Sequence, residues 1–110
     1  VDIAYDVAED LDDADDVIRD FIDAANVPGM YCVLWLRPDL AEGTLYGKFA
    51  AALFAYFTGH PEEGRRYLDL IVTIANPDDR ESFRRCVHTL GRDPDYADAL
   101  APVAEWLQTG

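Results

Sequence analysis

Lysine is nearly missing from this chain. Lys48 is the only one in 110 residues, and eight arginines stand beside it against sixteen aspartates and six glutamates, for a formal charge of −13. That balance works against unaided nucleic-acid binding, because the phosphates would be repelled. It works equally against an anionic membrane surface. Cysteine is scarce too. Cys32 and Cys86 cannot form a disulfide scaffold, and both stand in apolar company, so two buried free thiols are expected rather than a bridge. The longest apolar run, Phe49 to Phe57, has nine residues, under half of the roughly 20 that a membrane helix needs. The opening VDIAYDVAED is acidic and lacks the basic segment that begins a signal peptide. The expected compartment is therefore the cytoplasm.

The motifs of common chemistry are missing as well. There is no G-x-x-x-x-G-K-[ST] and no G-x-G-x-x-G. The single serine, Ser82, lacks the G-x-S-x-G turn. For zinc the soft ligands are Cys32, His60, Cys86 and His88, without a C-x-x-C or H-x₃-H pair, and Cys86 and His88 face differently on a helix. The stretch Glu9 to Asp16 fails as a calcium loop. Counted from Asp10 the sixth position is Asp15 and the twelfth Phe21, and counted from Asp12 the third is Ala14. Gly43-x-x-x-Gly47 lacks the apolar context that gives this spacing its membrane meaning. No cofactor, metal or catalytic residue is expected.

What is present is an apolar half of the composition, which excludes a disordered acidic tail. A chain of this size buries about two-thirds of its unfolded surface and needs no staple, so residues 1–110 are read as one domain. The charge is uneven. Residues 1–25 hold ten acids and one base, Arg19, which leaves −9 of the −13 in under a quarter of the chain. Salt adaptation would spread acid over the whole surface, so a local acidic face is the better reading.

Three helix starts are legible. Asn76-Pro77-Asp78-Asp79 places a capping amide before a proline and two first-turn acids, and Asp93-Pro94-Asp95 repeats that logic. Gly59-His60-Pro61-Glu62-Glu63 is a weaker version. Gly59 and Gly91 suit helix ends that need a left-handed residue. Apolar steps of three and four agree: Phe83, Cys86, Val87 and Leu90; Leu68, Ile71, Val72 and Ala75, widened by Tyr67, Leu70 and Ile74; and Leu100, Val103, Ala104 and Leu107. Pro102 inside the last run should kink or restart that helix. Thr44–Phe57 is apolar nearly all round. Leu45, Tyr46, Phe49, Leu53, Tyr56 and Phe57 form a bulky flank, and Ala51, Ala52 and Ala55 a small one. This segment is either central in the fold or partly at a dimer interface.

The first third is ambiguous. Val1, Ile3, Tyr5 and Val7 alternate like a strand. Ile3, Val7, Leu11, Ala14, Ile18, Phe21 or Ile22, and Ala25 step like a helix, and the abundance of Ala, Asp and Glu favours the helix. Met30–Leu36 suits a short buried helix or a buried strand. The expected fold is all-α, a compact antiparallel bundle of four to six helices. The alternative is α+β, with a short N-terminal β-α-β element.

Lys48–Pro77 resembles a tetratricopeptide-type helical hairpin, with small Ala52 in the first helix, Gly59 at the turn, small Gly64 and then Leu68 in the second, and the Asn76-Pro77 boundary. His60 and Asp93 are 33 residues apart, near that repeat's length of about 34. The pattern departs where Lys48, Ala51 and Ala52 occupy the aromatic and Leu-Gly positions. The resemblance implies stacked antiparallel helices and, by extension, peptide binding.

Two charged patterns are candidate sites. Asp10, Asp12, Asp13, Asp15, Asp16, Asp20 and Asp23 are either a solvated helix face or a docking face for a basic protein partner. Arg80, Arg84, His88 and Arg92 recur every four residues as a modest basic ridge with Arg85 nearby. The ridge is solvated, or meets the acidic segment of this chain or of another copy. Tyr31, Trp35, Tyr46, Tyr56, Tyr67, Tyr96 and Trp106 read as core aromatics, some able to anchor a partner. The functional expectation is a non-enzymatic interaction or regulatory module of immunity, antitoxin or nucleic-acid-mimic type, binding a basic protein through its acidic face. A homo-oligomeric structural subunit, such as a homodimer, and a small enzyme or ligand-binding domain are the alternatives.

Overall fold

The computed structural model describes residues 11–109. Among the described residues seven helices follow one another: α1 (Leu11–Asp23), α2 (Val27–Leu36), α3 (Leu40–Gly43), α4 (Leu45–Phe57), α5 (Pro61–Ile71), α6 (Pro77–Leu90) and α7 (Pro94–Thr109). α3 is a single turn, so six helices carry the bundle. No strand occurs among the described residues. The fold is all-α, and Met30–Leu36 lies inside α2. The alternation from Val1 to Val7, and Asp10, lie outside the described residues.

Each start has a local cause. Asn76 and Asp79 form a reciprocal capping box: the Asp79 N–H donates to Asn76 Oδ1 at 2.8 Å, and the Asn76 N–H donates to Asp79 Oδ2 at 3.2 Å. These bonds satisfy two of the four donors that a helix start leaves open. Thr44 caps α4 by accepting from the Gly47 N–H at 3.0 Å. Asn26 caps α2 by accepting from the Gly29 N–H at 3.1 Å. At α5 the N-terminal residue is His60, and its side chain makes no capping bond.

α4 is the central helix. Tyr46, Gly47, Phe49, Ala50, Ala52, Leu53 and Tyr56 are all buried on it. α1, α2, α3, α5 and α7 all contact it, α5 most extensively. Phe49 stacks on Phe83 of α6, with centroids 3.9 Å apart and planes 11° apart. Gly64 of α5 explains the close approach of α5. A β-carbon there would stand 2.6 Å from the Tyr56 ring and 3.1 Å from the Ala52 carbonyl oxygen.

Several expectations need correction. Gly91 has φ −66° and is right-handed, while Gly59 at φ +81° takes the left-handed conformation. α7 neither ends nor restarts at Pro102; Pro102 is exposed there. Leu70 and Ile74 do not widen the core face of α5 but are 52 % and 57 % exposed: Leu70 lies on the outer side of α5, and Ile74 lies beyond its end at Ile71. Cys86 is buried, but Cys32 is only half-buried; both are free thiols. Tyr31 and Trp35 stand outside the core at 59 % and 72 % exposed.

Candidate functional site

α1 is amphipathic by position. Ala14, Ile18 and Ile22, four residues apart, are fully buried, and Val17 and Phe21 flank them against the core. The opposite side carries Asp16, Asp20 and Asp23, all exposed and spaced by four and three, which places them in one row. Asp15 is half-buried and belongs to the flank. Asp12 and Asp13 lie within α1. Ala25, at φ 53°, ends the helix in the left-handed region.

The row is neutralised at one end only. Asp23 meets Arg85 of α6 at 3.9 Å. Among the described residues no ion pair involves Asp16 or Asp20. Arg19, the lone base of α1, places its guanidinium 5.1 Å from the centroid of the Tyr46 ring, on the core side of the row. Asp16, Asp20 and Asp23 therefore share one exposed face of α1, and among the described residues Asp23 alone of the three is paired with a cation.

The basic ridge does not hold together as a unit. Arg80 donates to the Val72 carbonyl at 3.0 Å and so closes the end of α5. Arg84 pairs with Glu81 at 3.4 Å on its own helix. His88 and Arg92 are exposed. The contact to the acidic segment comes instead from Arg85, which also donates to Ser82 Oγ at 3.3 Å. Asp23, Glu81, Arg84, Arg85, His88 and Thr89 line a cleft of about 400 Å³. Both signs of charge line it, so neither anion nor cation is selected.

Two of the nucleophilic candidates, Cys86 and Ser82, are buried. Burial, followed by the Asp23 carboxylate, pushes the Cys86 thiol up to about 12, so it stays protonated and inert near neutrality. Ser82 is buried against Arg85. His60 and His88 are exposed, and neither side chain makes a hydrogen bond among the described residues. No group of three His, Cys, Asp or Glu gathers as a metal site among the described residues. Among the described residues no helix is long and apolar enough to cross a membrane.

Two features escaped the sequence reading. Tyr46 Oη donates to Asp79 Oδ1 at 2.8 Å across 33 residues of chain, joining α4 to the capping box of α6. No local pattern signals a contact of that range. The second is the outward aromatic pair Tyr31 and Trp35 on α2. Four-residue spacing shows that they share a face, but α2 is apolar on every side, so periodicity could not tell which face is covered.

Comparison with protein-family models, curated proteins and solved structures finds no match to this chain.

Proposed function

We propose that the protein is an acidic interaction module, without catalytic activity of its own, that engages a basic protein surface through the outer face of α1. The observation that carries this is the row Asp16, Asp20, Asp23, of which, among the described residues, only the last meets a cation. An acidic face on a body of charge −13 raises the encounter rate with a cationic partner and repels acidic ones. Exposed carboxylates contribute little to folding, about 0–1 kcal/mol per pair, so the row has little folding rationale. Inhibitory partners of basic toxins or nucleases, and mimics of nucleic-acid charge, work by this same physics.

The test compares the wild-type chain with Asp16→Asn/Asp20→Asn/Asp23→Asn. Basic proteins retained by the immobilised wild type at low salt should associate with the variant about tenfold more slowly, with a flatter salt dependence. Equal rates and equal salt slopes for both chains would overturn the reading.

A further inference from the structure

The α1–α2 hairpin carries a second feature beside the acidic row, and together they narrow the chemistry of the partner. α2 has no charged residue. Met30 and Val33 point into the core. One flank of α2 is covered by α1, whose Phe21 ring occupies the space that a side chain at Gly29 would take. The other flank reaches α4, where Tyr31 meets Phe54 edge-on, with centroids 5.4 Å apart and planes at 89°. The outward side keeps Tyr31 and Trp35, at 59 % and 72 % exposed, with Leu36 at 39 % at its end. Two large aromatics one helical turn apart are held out to solvent, and one of them is fixed in place by Phe54.

On α1, Asp20 immediately precedes Phe21 and lies about 100° from it around the helix, and Asp16 lies one turn before Asp20. The acidic row therefore begins just beyond the flank that α2 covers. Packed helices lie about 8–10 Å apart, less than the width of a helix with its side chains. The aromatic pair and the acidic row thus stand on two adjacent, contacting helices of one hairpin.

We infer that the hairpin face is a docking site for a cationic amphipathic helix, whose apolar stripe rests on Tyr31 and Trp35 while its Lys and Arg residues meet Asp16 and Asp20. This rests on the proposed function and specifies the partner's shape and patterning. Charge complementarity chooses this occupant over a second copy of the chain, which would bring two acidic rows together, each on a body of charge −13. It also explains why such an apolar face coexists with acids: the face supplies affinity and the acids select basic partners.

The test uses two synthetic peptides of identical Leu and Lys composition, about 18 residues long, roughly five helical turns. In one the leucines follow the helical period, and in the other the order is scrambled. Calorimetry should show the amphipathic peptide binding at least about tenfold more tightly than the scrambled one. Tyr31→Ser/Trp35→Ser, verified as folded by circular dichroism, should abolish that difference and leave the scrambled peptide's affinity unchanged. Asp16→Asn/Asp20→Asn should weaken both peptides. Equal affinities that still depend on Asp16 and Asp20 overturn this inference and leave the acidic-face reading standing. Affinities indifferent to Asp16 and Asp20 overturn both. A dimer in sedimentation that Trp35→Ser disperses, or binding to zwitterionic phosphatidylcholine vesicles that the same substitution removes, makes another occupant the rightful one and overturns it as well.

Discussion

Asp79 shows how much one side chain can tie together in a chain this acidic. One of its oxygens accepts from the Asn76 backbone, the other from the Tyr46 hydroxyl, and its own N–H is capped by Asn76. Tyr46→Phe removes one hydrogen bond to a carboxylate and should cost about 1.5 kcal/mol. Asp79→Ala removes that bond and half of the capping box, and should cost about 2–3 kcal/mol. Denaturant titration of both single variants and the double should reveal coupling, since the two losses share a bond; strict additivity would deny the contact. The same hydroxyl carries a pH dependence. Burial, then the Asp79 carboxylate, pushes Tyr46 from 10.0 up to about 12, and burial pushes Cys86 from 9.0 to about 12. A group that holds its proton more tightly when folded contributes stability below its unfolded value and loses it as pH rises through the folded one. The midpoint of unfolding should therefore begin to fall near pH 9 and fall more steeply above pH 10. Cys86→Ala should delay the onset, and Tyr46→Phe should soften the steeper part. A Cys86→Ala curve that follows the wild type from pH 9 would remove burial of the thiol as the cause.

At the scale of elements, two glycines separate space from backbone conformation. Gly64 lies inside α5, where alanine would ordinarily gain about 1 kcal/mol of helix propensity. The Tyr56 ring at 2.6 Å and the Ala52 carbonyl at 3.1 Å leave no room for a methyl group. Gly64→Ala should therefore destabilise by about 1–3 kcal/mol, because α5 must move off α4. Gly59 has open space around it but φ +81°, so Gly59→Ala should cost about 1 kcal/mol through the backbone alone. Thermal melts of the pair decide the matter: a stabilised Gly64→Ala would mean that the α4–α5 contact is loose. These glycines also mark what was legible in the sequence. The α4–α5 hairpin, with small residues at Ala52 and Gly64 and a turn at Gly59, could be read because capping, turn and packing signals all fell within 30 residues. The starts at Asn76 and Asp93 were legible for the same local reason. Pro102 does not restart the helix, because proline removes only one ladder hydrogen bond and sits here on an exposed helix face. Gly91 misled because several cap geometries suit a glycine. The acidic side of α1 could be read from Asp16, Asp20 and Asp23 set against Ile18 and Ile22. The aromatic side of α2 could not, since a helix with no polar residue has no amphipathic phase to reveal its covered face.

For the molecule as a whole, the question is whether charge acts as a total or through its placement. At −13 the folded chain repels itself, and that repulsion reaches about 30 Å at 0.01 M salt but only about 3 Å at 1 M. Sodium chloride should therefore raise the unfolding midpoint, by roughly 4–8 °C for each kcal/mol of repulsion removed. Placement enters through a matched pair of variants. Asp16→Asn/Asp20→Asn and Asp98→Asn/Glu105→Gln each take the net charge from −13 to −11, and all four residues are exposed on long helices. The first pair lies in the crowded row of α1, and the second on α7, whose only acids are Asp95, Asp98 and Glu105. If the total alone mattered, both variants would stabilise equally at low salt. The geometry predicts a larger gain for the α1 pair, and a gain that vanishes near 1 M salt, because neighbouring carboxylates interact far more strongly than distant ones. The extra stability released by those two substitutions is then a direct measure of what the fold gives up to hold those carboxylates side by side. Equal gains from the two variants would reduce the face to one part of a uniformly acidic surface and take away the physical ground for a docking role.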